Sequence, residues 1–245
     1  TNIPEGFVKV SYYAIFTDSH GNFLKNKNVQ FNINGVFYTK TTNDKGIAMM
    51  GINLNPGKYI ITAKNLVTGE QSSNIITVKS LIVQKDLTKY YLNASRFQTT
   101  IYNKDGSPAV NKEVTFNING VLYTRKTDSK GAASLAINLR PGEYIITTMF
   151  DGLSIGNKVK VLPTLVTHDL TMKYMDGSRF TAQTLDGQGK PLANQNVSFN
   201  VNGVFYHRIT DNKGIAKLNI RLMAGEYIIT SSWNNFQTGN TIRIF

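Results

Sequence analysis

Between residues 113 and 119 polar and apolar positions alternate, up to an Asn-Gly pair that is followed by an apolar run. Val114, Phe116 and Ile118 alternate with Thr115, Asn117 and Asn119, and this period of two predicts a strand with one buried face. Asn119-Gly120 leads directly into Val121-Leu122-Tyr123. A pair of this type between two such runs predicts a tight hairpin, because both central residues of a type I′ turn need positive φ. Asn34-Gly35 and Asn202-Gly203 repeat the arrangement, and Asp128-Ser129-Lys130-Gly131 and Pro141-Gly142 mark the turns that follow.

The same text occurs three times. FNINGVFYTKTTNDKGIA starts at Phe31, FNINGVLYTRKTDSKGAA at Phe116 and FNVNGVFYHRITDNKGIA at Phe199. Each is followed at constant distance by NPGKYIIT, RPGEYIIT or MAGEYIIT. Weaker blocks precede them: HGNFLKNKNV, DGSPAVNKEV and GQGKPLANQNV. The chain therefore reads as three tandem domains, 1–80, 81–163 and 164–245, each just large enough to bury its own core.

Copy 2 reads as seven strands, about 84–91, 96–103, 112–118, 121–127, 132–139, 143–150 and 153–161. Turn signals every eight to twelve residues predict an all-β, Ig-like β-sandwich, with a seven-stranded barrel as the alternative. The linkers Lys79–Ile82 and Val161–Leu165 lack flexible Gly/Ser runs, so a stiff, elongated array is expected. Copy 1 is short at its front. Most of the strand QKDLTKYY of copy 2 has no counterpart there, so the strand is lost, lies upstream in a longer parent, or comes from a neighbouring molecule.

Composition supports the strand reading. The 245 residues are 41% apolar and 11% aromatic, enough to build a core, and only 17% charged. Much of the polar remainder is Asn and Thr, which favour turns and strands. With no cysteine, disulfides, thiolate metal sites and a Cys nucleophile are excluded. No apolar run is long enough to span a bilayer as a helix. The opening TNIPEGFVKV has neither the pattern of a signal peptide nor an initiator Met, and reads as a processed end or an interior piece of a longer protein. A formal net charge of +12 favours anionic partners such as a cell-wall polymer or an acidic glycan. The cations are spread without a run of four, which argues against localised nucleic-acid recognition.

The strings DLTKYYLNASRF, DLTMKYMDGSRF, GQGKPLANQNVSFNVNGVFY and INLRPGEYIITT resemble the Ig-like repeats of adhesin-like surface proteins of methanogenic archaea. They are more distantly similar to bacterial intimin-like and surface-fibre stalk repeats. The resemblance implies an extracellular, cell-surface location, tandem sandwich stalks and a role in attachment. It carries no motif-defined ligand site.

Catalytic chemistry is hard to find. His20, His168 and His207 recur at no equivalent position, and no phosphate-cradling loop or nucleophile elbow is present. The turns NDKG, DSKG and DNKG carry one acid each, too few for a calcium loop. No catalytic residue, metal site or cofactor is expected. Three candidate features remain. Some surface-fibre sandwich domains join a first-strand Lys to a last-strand Asn through a buried acid. Lys89, Glu143 and Asn157, and Lys173, Glu226 and Asn240, are candidates, although the lysines are one position out of register. Copy 1 has Lys58 where the acid would sit. Asn93 and Asn196 head N-glycosylation acceptor triplets. Trp233, Asn234, Asn235 and Phe236 form a turn at which a sugar ring could stack. The recurrent Tyr38, Tyr123, Tyr206 and Tyr59, Tyr144, Tyr227 are expected in the core.

The function expected is a non-catalytic stalk or spacer segment of an adhesin-like surface protein. One rival is a glycan- or wall-polymer-binding module using sandwich-end loops and basic surface. The other is an extracellular filament subunit that self-associates through the incomplete first copy, completed by strand donation.

Overall fold

The computed structural model describes residues 2–4 and 10–245, and these contain strands and no α-helix. Copy 1 holds β1 (Asn2–Pro4), β2 (Val10–Ile15), β3 (Asn28–Ile33), β4 (Val36–Thr41), β5 (Ile47–Ile52), β6 (Gly57–Lys64) and β7 (Gln71–Lys79). Copy 2 holds β8 (Ile82–Gln84), β9 (Leu87–Tyr90), β10 (Arg96–Ile101), β11 (Glu113–Ile118), β12 (Val121–Lys126), β13 (Ala132–Ala136), β14 (Gly142–Phe150) and β15 (Leu153–Leu162). Copy 3 holds β16 (Leu165–Thr167), β17 (Leu170–Met172), β18 (Arg179–Thr184), β19 (Asn196–Val201), β20 (Val204–Ile209), β21 (Ile215–Asn219), β22 (Gly225–Trp233) and β23 (Phe236–Ile244).

The period-two reading holds. β3, β11 and β19 alternate between buried and more exposed residues in the same pattern. Their buried sets centre on Phe31, Phe116 and Phe199, each fully enclosed. The Asn-Gly hairpins are type I′, with φ of 52° and 77° at Asn34-Gly35 and matching values at the other two. In the turn that follows, Asn43, Asp128 and Asp211 each accept two backbone N–H bonds, from residues two and four ahead. The glycine closing that turn has positive φ and sits against backbone. A Cβ on Gly46 would lie 2.5 Å from the Phe16 carbonyl oxygen, and one on Gly214 2.6 Å from that of Thr184. Only glycine fits both demands.

The strand order also repeats. Five-stranded sheets run β1-β7-β6-β3-β4, β12-β11-β14-β15-β9 and β17-β23-β22-β19-β20. The companion sheets run β2-β5, β13-β10-β8 and β16-β18-β21. In copy 1 both sheets contribute to one core, with Met50 and Ile52 facing Phe31, Ile61 and Ile76. In copy 3 Phe180, Ala216 and Leu218 likewise meet Phe199, Ile229 and Ile242. These are two-layer packings of Ig-like type, not closed barrels.

Three sequence expectations are corrected. The single strand expected over 84–91 is two, because the chain changes sheets at Lys85-Asp86. β8 runs antiparallel to β10, whereas β9 runs parallel to β15. Next, copy 1 does not lack the strand equivalent to β9. β1 runs parallel to β7, with Ile3 opposite Val78, as Lys89 lies opposite Val161 and Met172 opposite Ile244. What copy 1 lacks, among the described residues, is a strand equivalent to β8 and β16, so its second sheet has two strands. Finally, Tyr38 and Tyr206 are exposed on edge strands and are not core residues. Phe31 and Phe199, opposite them in register, take the core positions.

By density of contacts the chain divides into two compact units. One comprises residues 1–84, 99–114 and 125–133, and the other 85–98, 115–124 and 134–245. Copy 1 lies whole in the first and copy 3 whole in the second.

Candidate functional site

The turn between β22 and β23 places the candidate aromatic group. Asn234 and Asn235 both have positive φ, 49° and 61°, and make a two-residue type I′ turn that pairs Trp233 with Phe236. Both rings are half-buried and pack on the core of copy 3. The Trp233 Nε1 donates to Gln195 Oε1 at 3.3 Å. The ring also lines a cleft of about 600 Å³ with Arg140, Asn196, Ser198, His207 and Gln237. An indole, a guanidinium, an imidazole and several amides thus converge on one cleft. That set could stack on a sugar ring and hydrogen-bond its hydroxyls.

Arg140 comes from copy 2 and the rest of this lining from copy 3, and further contacts knit the same region. Asn93 Nδ2 donates to the Gly187 carbonyl at 2.6 Å, while its Oδ1 accepts from Ser95 N at 2.7 Å. The Tyr91 and Phe236 rings lie 5.8 Å apart. A Cβ on Gly189 would collide with the Tyr90 ring. Of the two glycosylation acceptors, Asn196 is exposed at the cleft. The acceptor nitrogen of Asn93 already donates one of its two N–H groups to Gly187, which leaves only the other for a glycan.

The cross-link candidates are not brought together. Lys89 is 5% exposed, and its Nζ donates to the carbonyls of Ile137 at 2.8 Å and Ser95 at 3.2 Å. Burial lowers its pKa from the ordinary lysine value. Its partner on β15 is Val161, four residues beyond Asn157, or roughly 13 Å along a strand. Glu143 sits in solvent, paired with Lys160 at 2.9 Å, which holds its carboxyl below the usual range. In copy 3 Lys173 is exposed beyond β17, and Glu226 meets Arg243 at 3.0 Å. The register explains this: Met172, not Lys173, occupies the place of Lys89.

The recurrent Asn has another role. Asn157 Nδ2 donates to Asp86 at 2.7 Å, and the same carboxylate accepts from Lys158 N at 2.9 Å. Asn240 and Thr241 N hold Asp169 in the same way, both at 3.0 Å. These bonds clamp the last strand to the segment where the chain changes sheets, and they lower both Asp pKa values. The signal was present in the sequence, since Asp86 and Asp169 both precede Leu-Thr in aligned blocks, but an acid next to a lysine or histidine draws no notice by itself.

Other recurrent polar groups serve turns. Buried Thr42, Thr127 and Thr210 donate to the carbonyls of Leu24, Ala109 and Leu192. Tyr59, Tyr144 and Tyr227 are half-buried, and their hydroxyls donate to the carbonyls four residues earlier, closing the glycine turn. No group of three or more His, Asp or Glu that could hold a metal occurs among the described residues. No helix is long and apolar enough to cross a membrane among them.

No family model matches the chain. It is distantly similar to the inverse autotransporter adhesin YeeJ of Escherichia coli (strain K12), at 23% identity over 98% of this chain and 12% of that protein. The chain thus spans about one-eighth of the curated relative's length. Among solved structures it matches the I9–I11 tandem of titin, with a TM-score of 0.36 and 14% identity, covering 99% of this chain and 95% of that one. It also matches invasin, described as a bacterial integrin-binding protein, with a TM-score of 0.31 and 17% identity, covering 100% of this chain and 58% of that one.

Proposed function

We propose that this chain is a non-catalytic stalk or spacer segment of a cell-surface, adhesin-like protein, built from three tandem domains at 1–80, 81–163 and 164–245. The observation that carries the reading is where the recurrent polar residues go. The turn Asn/Asp, the Asp–Asn clamp, the buried Thr and the Tyr hydroxyl all serve the fold, and each recurs because the fold recurs. A binding module repeated three times would be expected to repeat its binding groups, yet the cleft at Trp233 occurs in copy 3 with residues that copies 1 and 2 replace. Phe150-Asp151-Gly152 takes the turn position in copy 2, and a longer loop held by Asn65 takes it in copy 1. Distant similarity to a bacterial adhesin supports an attachment context. The archaeal affinity of the FNINGVFY and PGEYIIT blocks, and the extracellular setting, belong to the same proposal.

A second reading rests on the Trp233 cleft: an anionic glycan or wall polymer binds at this one place, through Trp233 and the amides of copy 3 and Arg140 of copy 2. Binding of the purified chain to a panel of wall polymers, acidic glycans and whole cells, at low and high salt, separates the two. The stalk reading expects only weak binding that salt abolishes, since a +12 chain attracts polyanions non-specifically. Saturable binding that survives salt and is lost in Trp233→Ala would establish the cleft as a site.

A further inference from the structure

Among the described residues, the second sheet of copy 1 is open on one side. In copy 2 that place is taken by β8, whose Ile82, Val83 and Gln84 pair with Ile101, Thr100 and Thr99. In copy 3 it is taken by β16, whose Leu165, Val166 and Thr167 pair with Thr184, Gln183 and Ala182. The strand extends by one more bond, from Tyr102 N to the Leu81 carbonyl and from Leu185 N to the Thr164 carbonyl, at 2.9 and 2.8 Å. β2 is the counterpart of β10 and β18. Phe16 donates to Gly46 as Ile101 does to Gly131 and Thr184 to Gly214. Among the described residues nothing pairs with β2 on the side away from β5.

Burial follows the gap. Thr99 and Ala182 are 1% and 0% exposed, while their counterpart Ala14 is only half-buried. Phe97 and Phe180 are enclosed, while Tyr12 is half-buried and Ile15, next to Ala14, is 56% exposed. A groove of about 550 Å³ runs along this edge between the two sheets, lined by Tyr12 and Ala14 of β2, by Phe16 just beyond it, and by Ala63, Asn74 and Ile76 of β6 and β7. In copy 3 the corresponding space is where β16 packs against β22 and β23. The polar clamp is altered as well. Among the described residues no carboxylate bonds Asn74, and its amide donates to Tyr12 Oη at 2.7 Å.

We propose that the β2 edge is a docking slot for the linker strand of another repeat of this type preceding copy 1 in the polypeptide. Two features define the occupant. It must be extended and antiparallel, with an apolar residue in the place of Ile82 and Leu165, each 2% exposed, and a residue that can be buried in the place of Leu81 and Thr164. It must also carry an acid two residues after the strand, to take Asn74 as Asp86 takes Asn157. In both filled copies the strand follows directly from the last strand of the copy before, β7 or β15. A second molecule of this chain is a poor donor, because its β8 and β16 already pair within their own sheets. The slot thus makes the second sheet of each copy depend on the linker ahead of it, which is both connection and structural strand.

The register prescribes the test. Ile82 precedes Lys89 by seven residues, and Ile3 holds the place of Lys89. Residues 79–86 (KSLIVQKD) joined ahead of Thr1 therefore place the added strand in phase with the slot. The grafted chain is compared with the native one and with a graft carrying Leu81→Asn and Ile82→Asp in the added segment. The proposal expects the apolar graft to slow amide exchange at Thr17, the counterpart of Tyr102, by at least roughly tenfold. It also expects the melting transition of copy 1 to rise by about 4 °C or more. The polar graft should do neither. Equal behaviour of all three chains overturns the proposal. So does concentration-dependent dimerisation of the native chain that protects Thr17, which would make the occupant a second copy. Neither outcome bears on whether the Trp233 cleft binds a ligand, so this test stands apart from that of the stalk reading.

Discussion

Copies 1 and 3 carry nearly the same hydrophobic text but finish their sandwiches differently. In copy 3 the strand β16 closes the second sheet, Asp169 locks the last strand, and Ala182 is fully enclosed. In copy 1, among the described residues, the second sheet stops at β2, Asn74 turns to Tyr12, and Ala14 is half-buried. The cores are otherwise alike, down to the edge-to-face rings of Tyr12–Phe31 and Phe180–Phe199, each 5.8 Å apart. The difference teaches that the repeated blocks specify the five-stranded sheet, whereas the companion sheet depends on the linker. A linker residue is therefore not merely a spacer, and the boundary of a structural unit need not coincide with the boundary of a repeat.

The comparison breaks most readily at the turn glycine. Gly214→Ala forces a Cβ against the Thr184 carbonyl at positive φ, with an expected cost of about 2–4 kcal/mol in denaturant unfolding. Gly46→Ala meets the Phe16 carbonyl in the same way but should cost less, because β2 is free to retreat on its open side. Equal costs would mean that the open edge confers no slack.

Next in size is Lys89→Met, which gives copy 2 the residue of copy 3. Lys89 is buried against carbonyls with no acid bonded to it, and Met172 is 4% exposed in the same place. The substitution should stabilise by about 1–2 kcal/mol. The sign of the pH dependence follows from the lowered pKa. The unfolded chain binds the proton more tightly, so the native destabilisation is fully present below the folded pKa. It is relieved as pH rises through that value towards the ordinary 10.5. The advantage of the Met variant should therefore shrink at alkaline pH, as read by paired unfolding curves.

The clamp comes next. Backbone Thr241 and the Asn240 amide hold Asp169 below the ordinary carboxylate pKa. Its stabilisation is fully present above the ordinary value of 3.8 and is lost as pH falls through the lowered one. Asp169→Ala should lower the melting temperature of copy 3 at neutral pH and remove part of its acid sensitivity below about pH 4. Copy 1, with no such carboxylate on Asn74, should resemble the variant. The smallest effect is expected at Ser231, whose Oγ is buried with no hydrogen-bond partner and whose counterpart in copy 1 is Ala63. Ser231→Ala should be neutral or stabilising by up to about 1 kcal/mol in the same unfolding assay.

Much of the fold was legible because it is local. The Asn-Gly hairpins, the alternation around Phe31, Phe116 and Phe199, and the turn glycines all write their geometry into neighbouring residues. The change of sheet at Lys85-Asp86 was not legible, because a charged pair between two strand-favouring runs marks an exposed point of one strand as readily as a switch between two sheets. The tyrosines misled for a related reason: recurrence marks a shared structural need, and that need is met by the Tyr59 hydroxyl at a turn as well as by rings in a core. Of the candidate site, Trp233 and its turn were visible as a departure from the repeat. Arg140, which completes the cleft, was not, since no pattern in the sequence relates the Pro-Gly turn of copy 2 to the last hairpin of copy 3. The cross-link candidates are kept apart in copy 3 by register, with Lys173 one residue beyond the buried place, and in copy 2 by Glu143 lying in solvent and Asn157 being held by Asp86.

The central claim, that three copies of one fold act as successive mechanical elements, is tested most directly by pulling the chain from its two ends in a force spectrometer. The account predicts three unfolding steps, each releasing about 80 residues, roughly 28 nm of extended chain. The weakest step should belong to copy 1, with its unsealed edge. A single step, or two steps whose lengths mix residues of copy 2 with those of its neighbours, would contradict it.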